Sequence, residues 1–163
     1  MDTNERQPDA ILVTNTPAET ERLGELIGAQ LEGGDVVCLS GTLGAGKTCL
    51  VRGLARGWGA VEHPTSPTFT LINEYRRPEG SQRFYHVDCY RLAGAADAWT
   101  TGLEELFDPV GIMVIEWPER ILELLPAERL WVEIRDLGDT SREFTLAAAG
   151  HRALDLLCQV DQQ

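Results

Sequence analysis

Lysine is almost absent from this chain. Of its 14 basic side chains only Lys47 is a lysine, and the other 13 are arginine. Basic charge is scarce altogether: 14 basic against 26 acidic side chains leave a formal net charge of −12. So acidic a chain offers no broad basic face to a phosphate backbone, and strong direct binding to nucleic acid is not expected. Long apolar runs are lacking too. None approaches the ~20 residues of a membrane span, and the polar Met1 to Asp9 has no signal-peptide core, so no membrane partner and a cytoplasmic location are expected. The four cysteines, Cys38, Cys49, Cys89 and Cys158, include no CxxC pair. Their spacing argues against zinc, a redox dithiol or a disulfide framework, and leaves four buried or half-buried thiols. No internal repeat or low-complexity tract is visible.

What remains is the profile of a globular domain. Apolar residues make up 43% of the 163 and charged residues 25%. That length suits one domain spanning 1–163, with 1–9 and 161–163 expected to be flexible. Thr16-Pro17-Ala18-Glu19 reads as a helix start, with Thr16 as N-cap, Pro17 at the first helical position and Glu19 closing a capping box. Leu23, Leu26, Ile27 and Leu31 continue it at helical spacing, and Gly33-Gly34 is the expected stop. Asp35 to Ser40 is a short apolar strand, followed by a glycine-rich segment and a helix from about Lys47 to Trp58. Thr68 to Tyr75 and Arg83 to Tyr90 form the expected arms of a β-hairpin, joined by Arg76 to Gln82. A helix is expected over Ala95 to Phe107, a buried strand over Ile112 to Ile115, and a short helix from Pro118 to Leu125. Leu130, Val132 and Ile134 alternate with polar neighbours, as do Phe144, Leu146 and Ala148, predicting two late antiparallel strands across Gly138-Asp139. A last helix covers Arg152 to Val160. The sum is a three-layer α/β domain of P-loop type with a mixed sheet.

Gly41-Thr42-Leu43-Gly44-Ala45-Gly46-Lys47-Thr48 fits GxxxxGK[ST] in full. Glycines let backbone N–H groups turn inward and form a nest for phosphate oxygens. The helix that starts at Lys47 aims its positive end at the same anion. Lys47 is placed to reach the β- and γ-phosphates as a compact point charge, and Thr48 to offer its hydroxyl to Mg²⁺. A guanidinium is longer and forked, and does not replace an ammonium inside such a nest. The uniqueness of Lys47 also rules out the Asn-Lys-x-Asp motif with which GTPases read guanine.

A P-loop needs a carboxylate at the end of a neighbouring strand. Asp88 follows Phe84 to Val87, and Glu116 follows Ile112 to Ile115. One of them would hold Mg²⁺, directly or through water, and the other could orient the attacking water; the residues do not say which. His63-Pro64-Thr65-Ser66-Pro67-Thr68, rich in hydroxyls and stiffened by proline, stands where a switch-like segment would cover the γ-phosphate. His63 and His86 read as structural histidines. On these motifs the chain is an ATPase, a small-metabolite kinase or a non-catalytic adaptor gated by nucleotide.

Gly44-Ala45-Gly46-Lys47-Thr48, Ser66-Pro67-Thr68-Phe69-Thr70-Leu71 with Asn73-Glu74-Tyr75, His86-Val87-Asp88 with Tyr90-Arg91-Leu92, and Ile115-Glu116-Trp117-Pro118-Glu119 occur in that order. Together they closely resemble the TsaE (YjeE) family, bacterial ATPases of tRNA threonylcarbamoyladenosine (t⁶A) biosynthesis, over about Thr20 to Arg142. The resemblance implies ATP contacts at Gly41, Thr42, Leu43, Gly44, Ala45, Gly46, Lys47, Thr48 and Cys49. It makes Asp88 the Walker B-like acid, puts Glu116 with the metal or the catalytic water, and sets Trp117 beside the nucleotide. Ser66, Pro67 and Thr68 would lie in the switch-like loop, and Thr20 would approach the base. Lys47, Asp88 and Glu116 would be the catalytic set, and Thr48, Asp88 and Glu116 the Mg²⁺ ligands. The implied partners are the TsaB and TsaD proteins, whose complex the ATP cycle would reset, with no direct strong tRNA binding by this chain. Two positions depart from the family pattern: Thr42 stands where aspartate is common, and Val87 where phenylalanine is usual.

Overall fold

The computed structural model describes residues 8–64 and 71–161. Among the described residues seven strands form one sheet in the order β1-β7-β6-β2-β5-β4-β3. They are β1 (Ala10–Thr14), β2 (Val36–Ser40), β3 (Ile72–Tyr75), β4 (Phe84–Asp88), β5 (Ile112–Glu116), β6 (Arg129–Gly138) and β7 (Ser141–Ala149). The middle of the sheet is parallel, with β2 between β5 and β6 and β4 outside β5. Val36, Val37, Cys38 and Leu39 of β2 are all buried, as expected of a parallel strand covered on both faces. Antiparallel pairs close the edges: β3 on β4 as the expected hairpin, β7 on β6, and β1 on β7.

The helices α1 (Pro17–Gly28), α2 (Lys47–Trp58), α3 (Ala95–Thr100) and α4 (His151–Asp161) accompany the sheet. Two apolar clusters separate the layers. One joins α1, α2 and α4 to the sheet through residues such as Ile27, Leu50, Leu54, Leu39, Phe144 and Leu156. The other packs α3 and the 3-10 turns after β5 on the opposite face, around Cys38, Val87, Ile115 and Ile121. The three layers match the fold expected from the sequence. Among the described residues no helix is long and apolar enough to cross a membrane.

The tightest joint lies between α1 and α2. A Cβ on Gly28 would stand 2.1 Å from the Leu54 carbonyl oxygen, and one on Gly53 would stand 2.1 Å from that of Glu21. Gly57 meets the Glu25 carbonyl oxygen as closely, and Gly24 that of Leu50 at 2.6 Å. The two helices therefore touch backbone to backbone, a contact that any side chain at these positions would prevent.

Several boundaries differ from expectation. Thr16 caps α1 as predicted, its Oγ1 accepting from the Glu19 N–H, but the helix closes at Gly28 with Ala29 as its C-cap, before the Gly33-Gly34 pair. Single turns at Gln30 and Leu31 follow, and they bury Leu31 in the core. The helix expected over Ala95 to Phe107 breaks after Thr100, because Gly102 turns left-handed (φ +72°), and resumes as a 3-10 turn over Leu103–Leu106. The segment Pro118–Leu124 is likewise 3-10, with non-helical backbone at Ile121. Strand β1 was not anticipated. Its Ile11 and Val13 face solvent at the sheet edge, so its alternation is weak. Asp9, just before it, is held as well: its N–H donates to the Leu146 carbonyl and its carboxylate accepts from the Ala148 N–H.

Candidate functional site

The Gly41 to Gly46 loop leaves β2 at the C-terminal edge of the parallel strands, where open α/β sheets present their crevices. Two of its glycines are needed for distinct reasons. A Cβ on Gly41 would collide with the Ile134 carbonyl oxygen at 2.7 Å. Gly46 is the N-cap of α2 in the left-handed region (φ +109°), and no side chain caps the helix there. A helix start without a capping side chain is the arrangement that suits an anionic ligand. Ala45 turns its methyl into the core and is 1% exposed, while Leu43 at the loop tip is 67% exposed.

Sheet register delivers the two acids. Leu39 of β2 pairs with Glu116 of β5, and Glu116 pairs with Asp88 of β4, so both carboxylates arrive beside the loop at one level. A cleft of about 260 Å³ opens there. Leu43, Gly44, Gly46, Lys47 and Thr48 line one side, and Asp88, Tyr90, Glu116 and Trp117 the other.

Lys47 is buried, and its Nζ donates to the carbonyls of Gly41 (2.6 Å) and Thr42 (2.8 Å). It also lies 4.4 Å from the centre of the Trp117 ring. Burial holds the ammonium below its usual lysine range, against the upward pull of Glu116, Glu119 and Asp88. Trp117 adopts a left-handed backbone (φ +58°), uncommon for a bulky residue, and its ring packs on Tyr90 with centroids 5.0 Å apart. Burial pushes the Asp88 carboxyl up; the Tyr90 N–H, which donates to Oδ1 at 3.0 Å, opposes the rise, and the neighbouring Glu116 adds to it. Two carboxylates facing one partly dry cleft form a donor set that suits a divalent cation.

Other predicted residues stand elsewhere. Cys49 lies on the far side of the loop helix, its thiol donating to the Pro17 carbonyl, and burial raises it above the usual thiol range. Thr20 is 2% exposed, with its hydroxyl 2.7 Å from that of Thr14. The switch-like loop of Ser66, Pro67 and Thr68 lies outside the described residues. Burial pushes the thiols of Cys38 and Cys89 up to about 12, in keeping with inert core cysteines.

Two contacts had no signal in the sequence. Arg142, on β7, donates through Nε to the Ala45 carbonyl at 2.9 Å and through Nη1 to Asp136 and the Ser141 carbonyl. It braces the Gly41 to Gly46 loop from a strand remote in sequence. Ser40, just before the loop, donates to the Glu119 carboxylate and ties the loop's base to the turn after β5.

A sequence model of the family "Threonylcarbamoyl adenosine biosynthesis protein TsaE" matches residues 14–144. The chain belongs to the TsaE family. It is 44% identical over 135 residues to the tRNA threonylcarbamoyladenosine biosynthesis protein TsaE of Treponema pallidum (strain Nichols), covering 83% of this chain and 98% of that one. The protein of the same name from Bacillus subtilis (strain 168) is 41% identical over 146 residues, covering 90% and 89%. The crystal structure of YdiB from Bacillus subtilis superposes with a TM-score of 0.77 at 37% identity, covering 94% of both chains. Membership of the TsaE family ties this chain to t⁶A biosynthesis.

Proposed function

We propose that this chain binds Mg·ATP at Gly41 to Thr48 and hydrolyses it slowly, and that the cycle supports threonylcarbamoylation of adenosine 37 in tRNA by acting on the TsaB–TsaD complex. One observation carries the reading: an uncapped helix N-terminus, a buried lysine and two strand-end carboxylates converge on a single cleft.

In this reading the loop amides and the start of α2 cradle the phosphates. Lys47 leaves the Gly41 and Thr42 carbonyls to meet the β- and γ-phosphate oxygens. Thr48 and Asp88 hold Mg²⁺, and Glu116 serves either that metal or the attacking water. When bound, Mg²⁺ neutralises charge developing on the transferring phosphoryl group. Trp117 and Tyr90 wall the cleft and exclude water from one side. No arginine projects into the cleft as described, so slow turnover by the isolated chain is expected, with a partner completing the site. The acidic surface fits docking on a protein complex rather than on tRNA.

Calorimetric titration with Mg·ATP, and phosphate release with and without the TsaB and TsaD proteins, test the proposal. Binding lost in Lys47→Ala and hydrolysis stimulated by the partners are expected. A phosphorylated metabolite in place of free phosphate would make the chain a kinase. Binding without stimulated hydrolysis would make it an adaptor.

A further inference from the structure

We propose that His86 is the positioning residue for Glu116; the inference rests on the reading of the cleft given above. On the parallel pair β4–β5, His86 is in register with Val114 and Asp88 with Glu116. His86 and Glu116 are therefore diagonal neighbours on one face, and their side chains meet there: Nε2 lies 2.6 Å from Oε2. The ring is fully buried, and the Glu116 side chain is 5% exposed.

The carboxylate decides the direction of this bond: it has only acceptors, so the ring donates through Nε2. Nδ1 is buried and has no hydrogen-bond partner among the described residues, so the contact with Glu116 is the one polar tie of the ring found there. The ring thus occupies Oε2, which leaves Oε1 as the oxygen Glu116 turns to the cleft. A carboxylate tied at one oxygen cannot swing, and its free oxygen is held where water or metal would meet it. Removing His86 alone also strands the buried Glu116 carboxylate, so the test needs a variant that restores the hydrogen bond and not only one that deletes it.

The test compares Mg·ATP turnover and ADP affinity in wild type, His86→Leu, His86→Gln, Glu116→Gln and the double variant His86→Leu/Glu116→Gln, alone and with the TsaB and TsaD proteins. His86→Leu should lower kcat ~10–100-fold, the usual effect of losing such an outer partner, while KM for ATP and ADP affinity stay within about twofold. Glutamine, whose side-chain N–H reaches the same oxygen, should restore most of the loss. The double variant should be no slower than Glu116→Gln, because His86 acts only through that carboxylate. Should His86→Leu fail to fold, His86→Asn, too short to reach Oε2, carries the same expectation. Wild-type turnover in His86→Leu, equal losses with leucine and glutamine, or additive losses in the double variant would each overturn the proposal. Wild-type turnover in Glu116→Gln would instead remove the underlying reading of the cleft.

Discussion

The two ends of β2 hold their cations in opposite ways. At its N-terminal end Arg152, from α4, meets Asp35 with Nε on Oδ1 at 3.0 Å and Nη2 on Oδ2 at 2.9 Å, and Nη2 also donates to the Gln30 carbonyl. The fork of donors is matched by a fork of acceptors, and the hydrogen bonds to Asp35 hold the guanidinium above its ordinary range. At the C-terminal end Lys47 has two backbone carbonyls and, among the described residues, no carboxylate within ion-pair distance. Burial holds it below its ordinary range, while Asp88 and Glu116 crowd each other side by side on the facing wall of the cleft. The first end is saturated and fastens α4 to the sheet. The second has charges of both signs that form no ion pair with one another among the described residues, which is the condition a charged ligand relieves.

Breaking each end separately should therefore produce opposite phenotypes. Lys47→Ala is expected to weaken Mg·ATP binding by at least ~100-fold, about 2.7 kcal/mol, while the melting temperature moves by no more than ~2 °C. Calorimetric titration and thermal melting in the absence of nucleotide check both halves, and retained binding would detach the loop from function. Arg152→Leu should do the reverse. It strands the Asp35 carboxylate, at a cost of about 2 kcal/mol, less than for a fully buried pair because the Arg152 side chain is 29% exposed. That corresponds to a melting point lower by ~4–8 °C, with nucleotide affinity unchanged.

Legibility in the sequence divides along the same line. The C-terminal end was readable because the glycine loop, its lysine and its helix are contiguous in the chain, and because Asp88 and Glu116 each close an apolar run. Nothing local marks Asp35 and Arg152 as partners, or Gly28 as a residue that must touch Leu54, since those needs arise only when the helices dock. Strand β1 escaped notice because an edge strand with two exposed apolar residues lacks the clean alternation of a covered one. His86 read as a structural histidine, because the register that turns it toward Glu116 is set by strand pairing and not by spacing along the chain. Arg142 was invisible for a related reason: it reaches the Ala45 carbonyl across 97 residues. If that bond keeps the carbonyl turned away so that loop amides face the cleft, Arg142→Ala should weaken Mg·ATP binding by about tenfold, or about 1.4 kcal/mol. An unchanged affinity would reduce Arg142 to a tie between β7 and the loop.

The smallest expected effect sharpens the contrast most. Burial, with Glu116 adding to it, holds the Asp88 carboxyl above its ordinary value. A carboxyl raised in the folded state binds its proton more tightly there than in the unfolded chain. It therefore favours folding below the unfolded value of ~3.9, and that contribution is lost as pH rises through the raised folded value. At neutral pH the ionised Asp88 works against the fold. Asp88→Asn keeps an acceptor for the Tyr90 N–H and removes the charge. At pH 7 it should raise the melting temperature by ~1–2 °C, about 0.5 kcal/mol after solvent screening, and the gain should vanish below pH ~4. The same change should weaken the Mg²⁺ dependence of nucleotide binding. Asp35→Asn should instead lower the melting temperature at pH 7, because it removes the partner of Arg152. A drop in both variants would mean that the acids at the two ends of β2 serve the fold alike. A rise in the first and a fall in the second would mean that the C-terminal carboxylate is kept against the chain's own stability, as a residue held for a cation would be.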